Sequence, residues 1–344
     1  MNIGLIGCGR VAAIHMLAYN YIENANVTAV SDINLDRVKT FANRYGIERH
    51  FTNHRDLLEI KDLDFVDICT PTSTHANMAC DAAEFSHNIL LEKPMALSTS
   101  ECERMIHATK RAGVKLCVCH NQLFIPHVME VKSRVDSGYY DLVSFKTSIK
   151  ESAELIGAPN WTLTPEEKGV LWETGCHAAY LQLHFLKNIK EVYAVGSKVR
   201  HPVYDELSVL LRTPNQPYGI IEMSWLAKQT ETIYEVNSSD GKRVQILDFD
   251  HLLEKSGNAP KHIWSGLYFD GKNVLKKWIK PLFDGLRKGK LVYCLHHFSL
   301  ISSYMESLKN DSPPPVTPEE GKKTIKLLEC IEESLNKRQI VLMK

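Results

Sequence analysis

No apolar run in this 344-residue sequence approaches the roughly 18 residues that a membrane-spanning helix needs. Surplus charge is missing too: 41 basic and 41 acidic side chains give a formal net charge of zero. That removes any global pull toward nucleic acid or an anionic membrane and leaves only local patches. Internal repeats and low-complexity tracts are absent, which excludes a solenoid or a disordered tail. The nine cysteines, an odd number, lack the regular spacing of a disulfide framework and suit a reducing interior. The chain enters its first strand without a charged leader, so we expect a cytoplasmic protein with no membrane or nucleic-acid partner.

What is present is core-forming material. The chain is 44% hydrophobic and 24% charged, over a length that suits about two domains. Asn2–Ile6 is an apolar strand, and Gly7-Cys8-Gly9-Arg10-Val11-Ala12 leads from it into helical sequence. Strand, glycine turn and helix are the context that makes a G-x-G-x-x-A match informative. Gly7 permits the tight turn, Gly9 lets the backbone approach a pyrophosphate, and Ala12 allows close packing. The helix N-terminus, with Cys8, Arg10 and Val11 around it, attracts the phosphates. The second strand, Val27–Ser31, ends at Asp32, where a carboxylate holds the ribose hydroxyls of NAD and repels the 2′-phosphate of NADP. The next basic residue is Arg37, so NAD is favoured; the ordinary alternative is a helix cap by Asp32, Asn34 or Asp36.

Phe65–Cys69 reads as the third strand, followed by Thr70-Pro71 and a helix over Ala76–Phe85, with His75 shaping the pocket rather than doing chemistry. The run Asn88–Leu91 ends in Glu92-Lys93-Pro94. A proline keeps the residue before it extended, and a lysine at the carboxyl end of a strand sits where α/β sheets hold ligands. Thr70, Pro71, His75, Glu92 and Lys93 are therefore expected along the cofactor edge. His120 and Asn121, after the strand Val114–Val118, are expected to face the cleft and touch substrate. The spacing of Cys117, Cys119, His120 and His127 matches no common zinc site, and we expect no metal.

From Leu142 onward strand-like runs follow one another without alternating helices, which predicts a second, α+β domain on a mostly antiparallel sheet. Within it, a helical reading of Glu173–Leu186 puts Glu173 and His177 four apart on one face, a carboxylate–imidazole pair suited to removing a hydroxyl proton. An ordinary surface pair has the same spacing. Lys255–Lys290 has no readable pattern.

Taken in order, the Gly7-Cys8-Gly9 turn, Thr70-Pro71 with His75, Glu92-Lys93-Pro94, His177 in Gly169–His177, and Pro315–Gly321 resemble the oxidoreductases grouped with glucose–fructose oxidoreductase and inositol 2-dehydrogenase. The resemblance implies a Rossmann doubly wound parallel sheet over 1–122, then a substrate and oligomerisation domain with a large open sheet over 123–344. It implies a homodimer or homotetramer, and reversible oxidation of a ring hydroxyl on a sugar, inositol or sugar derivative. Lys93 would contact the reacting oxygen, and His177 would accept the proton. Glu173 stands where the family has Asp or Asn, and Trp161 lies in a loop expected to set specificity. Two other functions fit the same fold. One is a hydrolase or epimerase that recycles bound NAD, the other a non-catalytic NAD-binding regulator.

Overall fold

Short apolar runs closed by polar or glycine turns build the first sheet, and their register decides what its edge presents. The computed structural model describes residues 1–152, 154, 160–214, 217–256, 259–262 and 292–343, the side chains of 160, 161, 256, 259–262 and 292–294 excepted. Six strands, β1 (Asn2–Ile6), β2 (Asn26–Ser31), β3 (Arg49–Phe51), β4 (Phe65–Ile68), β5 (Asn88–Leu91) and β6 (Leu116–Val118), lie in the order β3-β2-β1-β4-β5-β6. All their pairings are parallel. Ser31, Ile6, Ile68, Leu91 and Val118 form one row across the sheet. The residues just beyond that row, Asp32, Gly7, Cys69, Glu92 and Cys119, therefore line one edge. Chain order reverses at β1, and open α/β sheets bind their ligands at such a switch point.

The intervening helices begin and end where local chemistry dictates. Helix α1 (Arg10–Tyr19) starts directly after Gly9. In α2 (Leu35–Tyr45) the Asn34 side chain accepts from Arg37 N, and Gly46 at φ +68° closes the helix. Asn34, rather than Asp32, is thus the cap. Asn53 caps α3 (His54–Leu58). Helix α4 (Thr72–Glu84) starts four residues before the expected Ala76, because Pro71 sets the extended geometry at its N-cap. Ser98 caps α5 (Thr99–Ala112), which ends at Gly113. Strand β3 and α3 escaped the pattern because Arg49-His50-Phe51 has too few apolar residues to show a period.

Two compact units result, and the first is not continuous in sequence: Met1–Phe124 is joined by Phe269–Lys322. The division expected at 122/123 leaves out this C-terminal return. Among its described residues are helix α9 (Val292–Lys309) and the start of α10 (Pro318–Lys337). Val316 O accepts from Val118 N, and Tyr304 Oη donates to Lys115 O, so the return segment closes onto β6.

The second unit, Ile125–Tyr268 with Lys323–Lys344, is built on a nine-stranded sheet. Its strands are β7 (Leu142–Ser152), β8 (Glu191–Ser197), β9 (Glu206–Arg212), β10 (Tyr218–Ser224), β11 (Leu226–Ser238), β12 (Arg243–Leu247), β13 (His251–Ser256), β14 (Ala259–His262) and β15 (Val341–Leu342). Only the pairing of β7 with β10 is parallel. Strand β9 alternates strictly between exposed and buried residues, as a sheet covered on one face requires. Helix α6 (Pro126–Asp136) opens the unit, and α7 (Gly169–Glu173) and α8 (Gly175–Leu186) follow β7. Phe185 of α8 stacks on Phe145 of β7 at 4.1 Å between centroids, and Gln182 donates to the Phe145 and Ile220 carbonyls. Among the described residues no helix is long and apolar enough to cross a membrane.

Candidate functional site

The glycine turn is shaped for a group that must come close to backbone. Gly7 has φ +94°, and a Cβ there would lie 2.6 Å from Cys69 O, so only glycine fits. A Cβ on Gly9 would meet nothing within 4 Å, which leaves open space before the N-terminus of α1. That end carries no acidic residue in its first turn, and Arg10 is exposed beside it, while Val11 is half-buried and Cys8 buried. Burial, with the nearby Asp32 carboxylate, pushes the Cys8 thiol up to about 12. Asp32 accepts from Cys8 N at 2.9 Å and from Asn34 N at 2.9 Å. The Arg37 guanidinium reaches the same carboxylate at 3.2 Å, so a basic group does stand at the ribose end of the edge. These features fit a dinucleotide: open space at a helix N-terminus for phosphates and a fixed carboxylate for ribose hydroxyls.

Next along the edge, His75 sits between two turns. Its ring nitrogens lie 2.9 Å from Thr70 O and 2.9 Å from Pro94 O, and burial lowers its pKa. His75 thus bridges the Thr70-Pro71 turn to the Lys93-Pro94 turn. The Lys93–Pro94 peptide is cis, and Lys93 is half-buried.

Glu92 departs from the expectation. Its carboxylate turns into the interior, where Oε1 lies 2.9 Å from His15 Nε2, and Oε2 accepts from Lys93 N at 3.0 Å. His15 Nδ1 lies 2.7 Å from Asp67 Oδ2, which also accepts from Tyr19 Oη at 2.7 Å. His297, from the return helix α9, places Nε2 4.0 Å from Glu92 Oε1. Burial opposes ionisation of both His15 and Glu92, yet mutual attraction wins. Asp67 above all holds the His15 pKa well above the ordinary histidine value, and His15 holds the Glu92 carboxyl well below its own.

His120 and Asn121, expected to face the cleft, are also buried. His120 is 1% exposed and burial lowers its pKa to about 3; the Asn121 amide lies 3.1 Å from His297 Nε2. Cys119 Sγ lies 4.0 Å from His15 Nε2. Reading by motif missed His15, Asp67 and His297. One signal was present: Asp67 is a charge in the middle of a fully buried strand, and buried charges have partners.

In the second unit Glu173 and His177 lie on either side of a one-residue break at Thr174, whose backbone keeps right-handed helical angles (φ −81°, ψ −40°). Glu173 ends α7, His177 stands in the first turn of α8, and Thr174 lies between. Thr174 Oγ1 donates to Glu151 Oε1 at 2.6 Å and accepts from Trp225 Nε1 at 2.9 Å, which pins the junction to β7 and to the residue just after β10. His177 N donates to Thr174 O, and its Nδ1 lies 2.7 Å from Tyr180 Oη. Both Glu173 and His177 are half-buried, and Trp172 is core. The Trp161 side chain and the loop 155–159 lie outside the described residues.

Residues 1–120 match the model described as an oxidoreductase family with an NAD-binding Rossmann fold, and residues 128–244 match the GFO/IDH/MocA C-terminal domain. The uncharacterized oxidoreductase YrbE of Bacillus subtilis is 31% identical over 205 residues, which span 59% of this chain and 59% of that protein. The myo-inositol 2-dehydrogenase of Thermotoga maritima is 22% identical over 355 residues, 99% of this chain and 98% of its own. The fold matches that of levoglucosan dehydrogenase in complex with NADH and L-sorbose, with a TM-score of 0.81 at 20% identity, over 100% of this chain and 99% of that one.

Proposed function

We propose a reaction from one premise: the chain belongs to the GFO/IDH/MocA oxidoreductases, with an NAD-binding domain and that family's C-terminal domain. The reaction is NAD-dependent, reversible oxidation of a ring hydroxyl on a sugar, inositol or sugar derivative. The observation that carries it is the shaped edge from Gly7 to Lys93: a glycine turn open to phosphate, a carboxylate for ribose, and a lysine at the strand end. Relatives named as inositol and sugar dehydrogenases support the substrate class.

NAD, when bound along Gly7–Val11 and Asp32, supplies the hydride acceptor. Lys93 stabilises negative charge on the reacting oxygen, and its amide is held by Glu92. His177 takes the hydroxyl proton, its ring oriented through Tyr180 Oη. Glu173 steadies His177 or a neighbouring hydroxyl. Asp32 favours NAD over NADP, although Arg37 narrows that preference. The outer face of the second sheet carries exposed Tyr193 and Val195 on β8 and Leu210 on β9, apolar surface that a second copy would cover in a homodimer or homotetramer.

A panel of inositols, hexoses and sugar nucleotides, each offered with NAD and with NADP, tests the reading through nicotinamide absorbance. Turnover of a ring polyol with NAD, abolished in Lys93→Met, is the expected result. Tightly held NAD with no net NADH formation would replace it by the cofactor-recycling reaction.

A further inference from the structure

We propose that His15 is a positioning residue: an imidazolium fixed between Asp67 and Glu92 that ties the phosphate-binding helix α1 to the Lys93 turn. The inference rests on the reading of Lys93 as a catalytic group. Both ring nitrogens lie within hydrogen-bond reach of a carboxylate oxygen, 2.7 Å at Asp67 and 2.9 Å at Glu92. Carboxylates accept and do not donate, so a ring that satisfies both carries two N–H protons. His15 and Asp67 are fully buried and Glu92 nearly so, and a bare charge in such a place is costly. One imidazolium between two carboxylates is the arrangement that meets this cost. Tyr19, one turn along the same helix, donates to Asp67 as well and anchors the far side.

The consequence reaches Lys93 through a single side chain. Glu92 Oε1 is held by the ring, and Oε2 accepts the Lys93 backbone N–H at 3.0 Å. His15 belongs to α1, whose N-terminus stands at the open space before Gly9. One ring thus spans the distance between the element that grips phosphate and the turn that presents the lysine. The other titratable groups facing it are Tyr19, Cys69, Cys119 and His297. Donor atoms of His15, Glu92, Cys119 and His297 all lie within 4.8 Å of one another, but a divalent cation there would need His15 Nε2 deprotonated.

Nitrogen NMR of the histidine-labelled full chain reads the ring directly. Two ring N–H protons on His15 at neutral pH are expected, with no titration near the ordinary histidine value and no change on adding zinc. A ring with one proton, or one that binds zinc, overturns the proposal. Turnover is then compared in His15→Gln and Lys93→Met, with myo-inositol as probe or whichever ring polyol of the panel reacts. His15→Gln keeps a donor but loses the charge. It is expected to lower kcat by about a hundredfold, the cost of displacing a reacting group by about 1 Å, while KM and NAD affinity stay within about threefold. Unchanged kcat in a folded His15→Gln, beside a dead Lys93→Met, overturns the positioning role alone. Full turnover in Lys93→Met overturns the catalytic reading of Lys93, and the positioning role with it.

Discussion

His15 on α1 and His177 on α8 differ in what lies against their rings. His15 is fully buried between the two carboxylates of Asp67 and Glu92. His177 is half-buried at a helix junction, with its Nδ1 against the neutral hydroxyl of Tyr180. A ring locked between anions keeps its proton across the working pH range and serves as a fixed charge. A ring beside a phenol instead faces a group that can both donate and accept a hydrogen bond. Residue type is the same in both places; the surroundings differ, and under the proposed function one ring holds charge while the other moves a proton.

The sharpest way to break this comparison is to remove the moving proton. His177→Ala and Lys93→Met are expected to lower kcat by about two to four orders of magnitude, the usual worth of a positioned acid–base or charge-stabilising group. Thermal unfolding and NAD affinity should hardly move. A His177→Ala enzyme with wild-type kcat would show that the proton leaves by another route.

Removing one of the buried anions should register in stability as well. Asp67→Asn leaves the His15 cluster short of one anion inside a sealed core, and breaking such a network costs about 3–5 kcal/mol. Denaturant titration should show that loss directly. Glu173→Gln, at a half-buried position, should cost less stability than Asp67→Asn while altering turnover. Equal stability losses in the two variants would erase the distinction between the clusters.

Much of this was readable in the sequence, and the limits have physical causes. The glycine turn, Asp32 and the Glu92-Lys93-Pro94 turn were legible because each is a local device, fixed by backbone chemistry within a few residues. The alternating strands of the second sheet were legible for the same reason, since period 2 is local. His15, Asp67, Glu92 and His297 were not legible as a group, because parallel pairing and a distant return segment bring together positions 15, 67, 92 and 297. Glu173 and His177 were legible as a pair by their spacing of four, but that spacing carries no signal of the Thr174 junction between them, held by Glu151 and Trp225.

Asp32 sharpens the comparison with a third buried carboxylate, this one faced by an exposed cation. It is held by two backbone amides and flanked by Arg37 at 3.2 Å. Asp32→Ser removes the repulsion toward a 2′-phosphate and leaves the guanidinium to receive it. The ratio of kcat/KM for NADP over NAD should rise about ten- to a hundredfold, the worth of one charged hydrogen bond. An unchanged ratio would place the ribose elsewhere.

The pH dependence of stability separates burial from pairing as causes of a histidine's charge. His120 and His296 are buried like His15, but burial dominates and lowers each pKa to about 3. Both are neutral when folded and take up a proton when unfolded below about pH 6.5. Their contribution to stability is therefore full above that pH and is lost as pH falls toward 3, at about 1.4 kcal/mol per pH unit for each ring. His15 runs the other way: its raised pKa gives stability that is full below its unfolded value and is lost as pH rises through the folded one. Glu92, with its lowered pKa, gives stability that is full above its unfolded value and is lost as pH falls through the folded one. The stability curve should thus begin to decline on the acid side near pH 6.5, before any carboxylate titrates, and decline again in alkali. His296→Leu should reduce the acid slope by about one proton and leave the alkaline limb alone. A variant that moved the alkaline limb instead would mean that the His296 site, and not Asp67 with Glu92, governs the charge on His15.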